Sequence, residues 1–281
     1  MTDDLGTRLT EHFGPEALLH IDTANASLPT ASGAALANGL PAQVGPYFSA
    51  TQDEPLLLSD YAASIDADHT PPESASWFRL GTDQGAEICV TPTGTVKAVF
   101  VVTNVAPLHV NTDVPSFLES LLTLDKSLPL LRSPGQQDPV AVFRDLRSRL
   151  LQIDAPALDD DESWWSRVLE LIRHALSFPA SVAFEVEEND GRKHIETQET
   201  QVGVEHPEHL LWHRLSSDGV RPEQITRVYT ELEPCFMPGN YCAMWLNQFP
   251  NAEFTYSYDY GATAEEREAG MLELINHAAA T

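Results

Sequence analysis

Four polar side chains in the last third of the chain have the types and spacing of a metal-dependent hydrolytic site: His206, Glu208, Cys235 and Cys242. One imidazole and two thiolates can bind a zinc ion and leave its fourth coordination position open. Zinc lowers the pKa of a water molecule in that position toward neutrality. A carboxylate two residues from the histidine, itself no ligand, can carry protons between that water and a substrate nitrogen. The pattern predicts a zinc site held by His206, Cys235 and Cys242, with Glu208 as the proton carrier.

The elements around these residues are expected to bring them together. The sequence predicts a helix over 207–216, with His206 as its N-cap and Glu208 in its first turn. A buried strand over 225–232 ends shortly before Cys235, and a second helix over 242–249 begins at Cys242. Side chains at the carboxyl end of such a strand lie where open α/β sheets bind their ligands.

Other interpretations of these residues stay open. Two buried core thiols and a surface histidine would explain the same three residues without a metal. His209 and His213 lie on the helix of His206, where histidines facing neighbouring residues are the simpler interpretation. The row Tyr256, Tyr258 and Tyr260 is most simply a packed sheet face, although a ring facing a pocket could stack on a base.

The pattern of elements predicts two domains, 1–177 and 178–281. The first half has the order of an α+β domain, with successive strands followed by helices. Its strands are predicted at 77–80, 86–90 and 96–102, and its helices at 114–124, 140–153 and 164–176. The second half alternates strands and helices, which predicts an α/β domain with a largely parallel sheet. Its further strands are predicted at 181–186, 193–204 and 253–260, and a last helix begins with a capping box at Thr263.

Charge and composition narrow the function. The 281 residues hold 16 basic and 42 acidic side chains, a net charge of −26. Residues 178–281 hold 6 basic and 18 acidic side chains. This balance disfavours binding along a long nucleic acid, because cations are needed to neutralise its phosphates. No window has 18 consecutive apolar residues, so no membrane partner is expected. The acidic start lacks the apolar region of a secretory signal, and three cysteines indicate free thiols or a metal site, so we expect a cytoplasmic protein.

The chemistry-bearing residues fit the zinc deaminase signature H-x-E…P-C-x-x-C. The stretches 226–235 and 251–258 resemble bacterial polymorphic-toxin-type nucleic-acid or nucleotide deaminases, relatives of the AID/APOBEC and DYW deaminases. The resemblance covers about 180–281. It implies a cytidine-deaminase-like fold with a mixed five-stranded sheet between helices. By motif it implies Zn²⁺ on His206, Cys235 and Cys242, with Glu208 as the catalytic residue.

Two departures from this signature concern the site. Six residues, not two, separate Cys235 from Cys242, so 236–241 is an insertion between ligands that a zinc site can accommodate. Related enzymes usually have, between the histidine and the glutamate, a residue whose backbone N–H can reach the base. Pro207 has no N–H, so this donor is missing here.

The first half resembles the SUKH superfamily of bacterial toxin-immunity proteins, fourth subgroup. The matching segments are 39–41 with Phe48, 77–81, 87–90, 93–96, Asn111 with Phe117, and 163–165. The resemblance implies an α+β protein-binding fold without catalytic residues, and a basic toxin protein as a candidate partner.

Two functions remain in competition. The first is a cytoplasmic zinc-dependent deaminase that acts on C4 of cytosine or C6 of adenine, joined to a SUKH-like binding module. The scarcity of cations predicts a nucleotide or a short single strand as its substrate. The second is an immunity or binding protein with an inactive deaminase-like domain, which the acidic charge would steer toward basic partners. Turnover by the wild type but not by Glu208→Gln would separate the two.

Overall fold

The computed structural model describes residues 4–23, 28–51, 56–67, 69–133, 135 and 137–280. The chain divides into two compact units, Met1–Leu169 and Glu170–Thr281. The division falls inside one helix, which continues to Ser177, the residue after which the sequence places the domain boundary. That boundary stays a prediction. Among the described residues, no helix has the length and apolar character needed to cross a membrane.

The first unit is an α+β domain built around an antiparallel sheet. Its helices, with the helix that continues into the second unit, are α1 (Leu5–Phe13), α2 (Thr30–Leu36), α3 (Leu58–Ser64), α4 (Val114–Arg132), α5 (Pro139–Ile153) and α6 (Trp164–Ser177). Its strands are β1 (Leu18–Leu19), β2 (Leu40–Pro41), β3 (Gln43–Val44), β4 (Phe48–Ala50), β5 (Phe78–Thr82), β6 (Glu87–Val90), β7 (Val96–Val99) and β8 (Leu108–Asn111). Strands β3 to β8 form one sheet in sequence order, and β1 pairs with β2.

The motif residues of the first unit are parts of its scaffold. Trp164 donates its indole N–H to Asp83 at 2.7 Å, and Trp165 donates to Asn111 at 2.8 Å. Both indoles are buried, where an N–H without a partner would cost about 1–3 kcal/mol. These bonds fasten α6 to the sheet of this unit. The residues that carry the sequence resemblance therefore explain the fold of the first unit.

The second unit has a four-stranded sheet and three helices besides the end of α6. Its elements are β9 (Ser181–Glu187), β10 (Lys193–Glu199), α7 (Pro207–Ser217), β11 (Ile225–Leu232), α8 (Cys242–Trp245), β12 (Glu253–Tyr258) and α9 (Ala264–Ala280). The strand order is β10-β9-β11-β12. Only β11 and β12 run parallel, whereas β9 is antiparallel to both of its neighbours.

This topology confirms the mixed sheet that the deaminase resemblance implies and corrects two other expectations. The sheet is mixed rather than largely parallel, because β9 and β10 form a hairpin closed by a turn in which Glu188 donates its N–H to the carbonyl of Arg192. The Asp190-Gly191 pair is the sequence signal of that turn. Within the described residues the sheet has four strands, not five, because the chain passes from β12 directly into α9.

The core of the second unit lies between the sheet and the helices α7 and α8. Apolar side chains of β9 and β11 pack there against Leu211, Leu215, Leu246 and Phe249. The helix α9 contacts β11 and β12. It begins with a capping box, since Glu266 donates its backbone N–H to the Thr263 hydroxyl and accepts the Thr263 N–H on its carboxylate. This frame fixes the start of α7 and the end of β11, where the candidate site lies.

Candidate metal centre and adjoining cavity

Three potential metal ligands meet at one point of the second unit. One donor atom each from His206, Cys235 and Cys242 lies within 4.8 Å of the other two. The Nδ1 atom of His206 is 3.4 Å from the sulfur of Cys235 and 3.5 Å from that of Cys242. A tetrahedral zinc ion with ordinary Zn–S and Zn–N bonds would hold such atoms about 3.6 Å apart. The donor set and its spacing fit zinc.

Each ligand comes from the junction expected for it. His206 is the N-cap of α7, Cys235 follows β11 after a short extended segment, and Cys242 begins α8. Ala243 donates its backbone N–H to the carbonyl of Cys235 at 3.0 Å, which ties the start of α8 to the first cysteine. The helix α8 is a single turn, shorter than expected, and a 3₁₀ turn over Leu246–Gln248 continues it.

The residues between the two cysteines fold against α7. Asn240 accepts the backbone N–H of His206 on its side-chain oxygen at 2.8 Å. Its own carbonyl accepts a hydrogen bond from the His209 ring at 3.0 Å, and that ring stacks on Trp245. Tyr241 has a left-handed backbone conformation (φ 42°) that brings Cys242 back toward Cys235. Sequence reasoning treated 236–241 as a tolerated insertion and missed the role of Asn240 in holding His206.

The three side chains shift one another's pKa values even without a metal ion. Burial alone would raise the pKa of the Cys235 thiol, but a hydrogen bond from Cys242 and the attraction of His206 lower it well below its ordinary value. Burial alone would lower the pKa of His206, but the neighbouring Cys235 raises it to about 9. Burial and the Cys235 thiolate raise the pKa of Cys242. These shifts favour the thiolate form of Cys235, the form of cysteine that binds metals.

Glu208 lies next to this cluster and is 5% exposed. Burial raises the pKa of its carboxyl group, against the lowering effect of His206. Its Oε2 atom is buried and has no hydrogen-bond partner among the described residues. An unpaired buried carboxyl oxygen costs free energy unless a ligand satisfies it. The arrangement suits a group that exchanges protons with a bound molecule.

A cavity of about 60 Å³, partly open to solvent, adjoins the cluster. His206, Glu208 and Cys235 form one part of its wall, and Thr230 of β11 also borders it. The cavity therefore gives a small molecule access to His206, Cys235 and Glu208.

A buried polar group that sequence reasoning missed forms another part of the wall. The His174 ring on α6 contacts the Tyr260 hydroxyl at 3.0 Å, and both residues border the cavity. Burial, together with Arg173, lowers the pKa of His174 to about 4, so its ring is neutral. Beneath them, Arg267 of α9 forms a buried bidentate ion pair with Glu170 of α6. Nothing in the local sequence of α6 indicates these contacts across about ninety residues.

The remaining candidates are not among the three converging donors. His209 binds Asn240, and the Nδ1 atom of the exposed His213 lies 3.2 Å from a carboxylate oxygen of Glu205. In the tyrosine row, Tyr260 is buried whereas Tyr256 is 45% exposed. The row is therefore only partly a packed face.

Family models match both units of the chain. The model of the SUKH-4 immunity protein matches residues 6–171, and that of the Xanthomonas-like deaminase matches residues 179–277. Neither the search of curated proteins nor that of solved structures found a match. Because the first model covers more than half of the chain, the protein belongs to the SUKH-4 immunity protein family, with a Xanthomonas-like deaminase domain in the same chain.

Proposed function

We propose that the second unit is a zinc-dependent hydrolytic deaminase of a nucleobase, in a nucleotide or a short single strand. One observation supports this most: three donors with the spacing of a tetrahedral zinc site lie beside the buried Glu208, whose Oε2 atom has no hydrogen-bond partner among the described residues, at a cavity wall. If the two cysteines were only core residues and the histidine only a surface residue, nothing would require their donor atoms to lie together. The family match of residues 179–277 supports the same reaction class.

In this proposal His206, Cys235 and Cys242 hold zinc, which when bound supplies Lewis-acid activation of water. Glu208 takes a proton from that water and holds it toward the ring nitrogen of the base. It then moves a proton to the leaving amino group. Over the reaction one water molecule is consumed, its oxygen replaces the amino group as a carbonyl oxygen, and the amino group leaves as ammonia. The partly closed cavity limits competing contact with solvent.

The test combines metal content with turnover. Elemental analysis of the purified protein should find about one zinc per chain. The zinc-loaded protein should deaminate at least one of a set of nucleosides, nucleotides and short oligonucleotides. Glu208→Gln has nearly the same size and should retain zinc but lose activity at least about a hundredfold. Equal turnover by the two proteins would refute the assigned role of Glu208.

A second function belongs to the first unit. We propose that this unit binds a basic toxin protein, which its family match and its acidity support. Residues 1–177 hold 10 basic and 24 acidic side chains, and such a surface steers toward cationic partners. If the zinc-loaded wild type and Glu208→Gln are equally inactive on every substrate, binding alone is favoured as the function of the whole chain.

A further inference from the structure

Thr230 has a buried hydroxyl group that the packing of the protein does not explain. Its side chain is 4% exposed, and its Oγ1 atom has no hydrogen-bond partner among the described residues. It lies in β11 opposite Val182 of β9, and Val228 lies two residues before it on the same face. Both valines belong to the apolar core. A valine at 230 would suit this core better, because an unpaired buried hydroxyl costs about 1–3 kcal/mol.

The position of Thr230 suggests what its hydroxyl is for. Thr230 and Glu208 border the same cavity, and each has an unpartnered buried oxygen. The other small hydroxyl groups of the cavity wall already have partners. Ser181 donates to Glu231, and Thr200 donates to the carbonyl of Ala180. A ligand that reaches Glu208 is therefore the partner available to Thr230.

The start of α7 cannot supply a donor at the residue before Glu208. Pro207 is the first residue of this helix and has no N–H. We propose that Thr230 is the base-recognition residue of this site, and that its hydroxyl donates a hydrogen bond to a ring carbonyl of the substrate. This inference rests on the proposed deaminase function and specifies its substrate.

The chemistry of the hydroxyl selects between the two bases. Glu208 is proposed to protonate the ring nitrogen beside the carbon that loses its amino group. In cytosine, the neighbour of that nitrogen on its other side is the C2 carbonyl, which accepts hydrogen bonds. In adenine, the equivalent neighbour is a C–H group, which cannot accept. A site with a buried hydrogen-bonding group rejects ligands that leave it unpaired, so Thr230 favours cytosine over adenine.

Two substitutions test the hydroxyl with little change in volume. Thr230→Val keeps the shape but removes the hydroxyl, and Thr230→Ser keeps the hydroxyl. In zinc-loaded protein, we expect Thr230→Val to lower kcat/KM for cytidine by about tenfold or more, and Thr230→Ser to remain within a few-fold of the wild type. The Tm of Thr230→Val should equal or exceed that of the wild type, which a structural hydroxyl would not allow.

Binding provides a measurement that does not need turnover. On the Glu208→Gln background, calorimetry with cytidine and with adenosine should show tighter binding of cytidine, and a loss of that preference on adding Thr230→Val. If the wild type deaminates nothing but this pattern is found, the proposed function fails and the assignment of Thr230 survives as a binding role. Preference for adenosine, failure of cytidine to bind, unchanged cytidine kinetics or binding in Thr230→Val, or a fall in its Tm would each overturn the inference.

Discussion

At the scale of single residues, the metal cluster depends on the charge of Cys235. His206 and Cys242 both lie within 3.5 Å of a partner in the cluster, and their pKa values are raised by the Cys235 thiolate. In the proposed zinc site, removal of this sulfur takes away one donor and the negative charge that raises the pKa values of the other two. The geometry of the site is thus tied to one side chain at the end of β11.

We predict that Cys235→Ser loses the metal and lowers the Tm of the second unit, because metal binding is coupled to folding. Elemental analysis and calorimetry measure the two effects. Cys89→Ala is the control, since Cys89 is buried in the sheet of the first unit and should leave the zinc content unchanged. Retention of one zinc per chain by Cys235→Ser would exclude the assigned ligand set.

His174 gives the second unit a dependence on pH. The groups that face it are Tyr260, Glu170, Glu268, Arg173 and Arg267. Its pKa of about 4 lies below the ordinary 6.5, so the unfolded chain takes up the proton first as the pH falls. The stabilisation that the neutral His174 ring contributes is complete above about pH 6.5. It is lost as the pH falls from about 6.5 to about 4, by about 3 kcal/mol in total.

We expect His174→Gln to lose markedly less stability over this window, measured by denaturant unfolding at a series of pH values. His209, whose pKa burial also lowers to about 4, accounts for part of the dependence that remains. Parallel curves for His174→Gln and the wild type would show that His174 is not held neutral.

At the scale of elements, α9 packs so closely against the chain after β12 that no side chain fits at Gly270. A Cβ atom at Gly270 would lie 1.9 Å from the carbonyl oxygen of Asp259, which is backbone and cannot turn away. Gly270→Ala must therefore displace α9 or the segment that presents Tyr260 to the cavity. We predict a loss of about 2 kcal/mol or more, measured by chemical unfolding.

The matched control is Gly33→Ala, which also lies within a helix and has nothing within 4 Å of the added carbon. This change should be neutral or stabilise the first unit by up to about 1 kcal/mol, because alanine is the better helix former. A mild effect at both positions would mean that α9 adjusts without cost.

Local patterns in the sequence predicted most elements of the second unit but not their pairing. The ends of β11 and the start of α7 followed from apolar periodicity and from Pro207 at a helix start, so the convergence of His206 and Cys235 was predictable. The hairpin of β9 and β10 was missed because strand alternation does not encode direction. The contacts of Asn240 and His174 join segments far apart in the chain, and no local pattern reports them.

At the scale of the whole molecule, the cations of the second unit are already engaged. Each of the six basic residues of 178–281 lies within 4.0 Å of a carboxylate. The pairs are Arg192–Asp190, Lys193–Glu185, Arg214–Glu196, Arg221–Glu223, Arg227–Glu253 and Arg267–Glu170. A protein that binds a long nucleic acid needs several cations on one face to neutralise phosphates.

We therefore predict that any activity favours a mononucleotide over a long oligonucleotide in direct competition at low salt. The rate should change little as salt is added, because few counterions are released on binding. A competition assay at a series of salt concentrations measures both properties. Preference for the oligonucleotide, with a steep loss of activity on adding salt, would contradict the prediction.

The position of α6 determines where a gene segment that encodes the second unit must begin if it is joined to another protein. Glu170 and His174 precede the range 179–277 matched by the deaminase model, yet both bind residues near the start of α9 or the end of β12. A recombined gene that begins at codon 179 would encode a domain without Glu170, the carboxylate that Arg267 binds in a buried bidentate pair, and breaking such a pair costs about 3–5 kcal/mol. The smallest cassette that could move intact between proteins therefore begins at residue 170, inside a helix rather than in a linker.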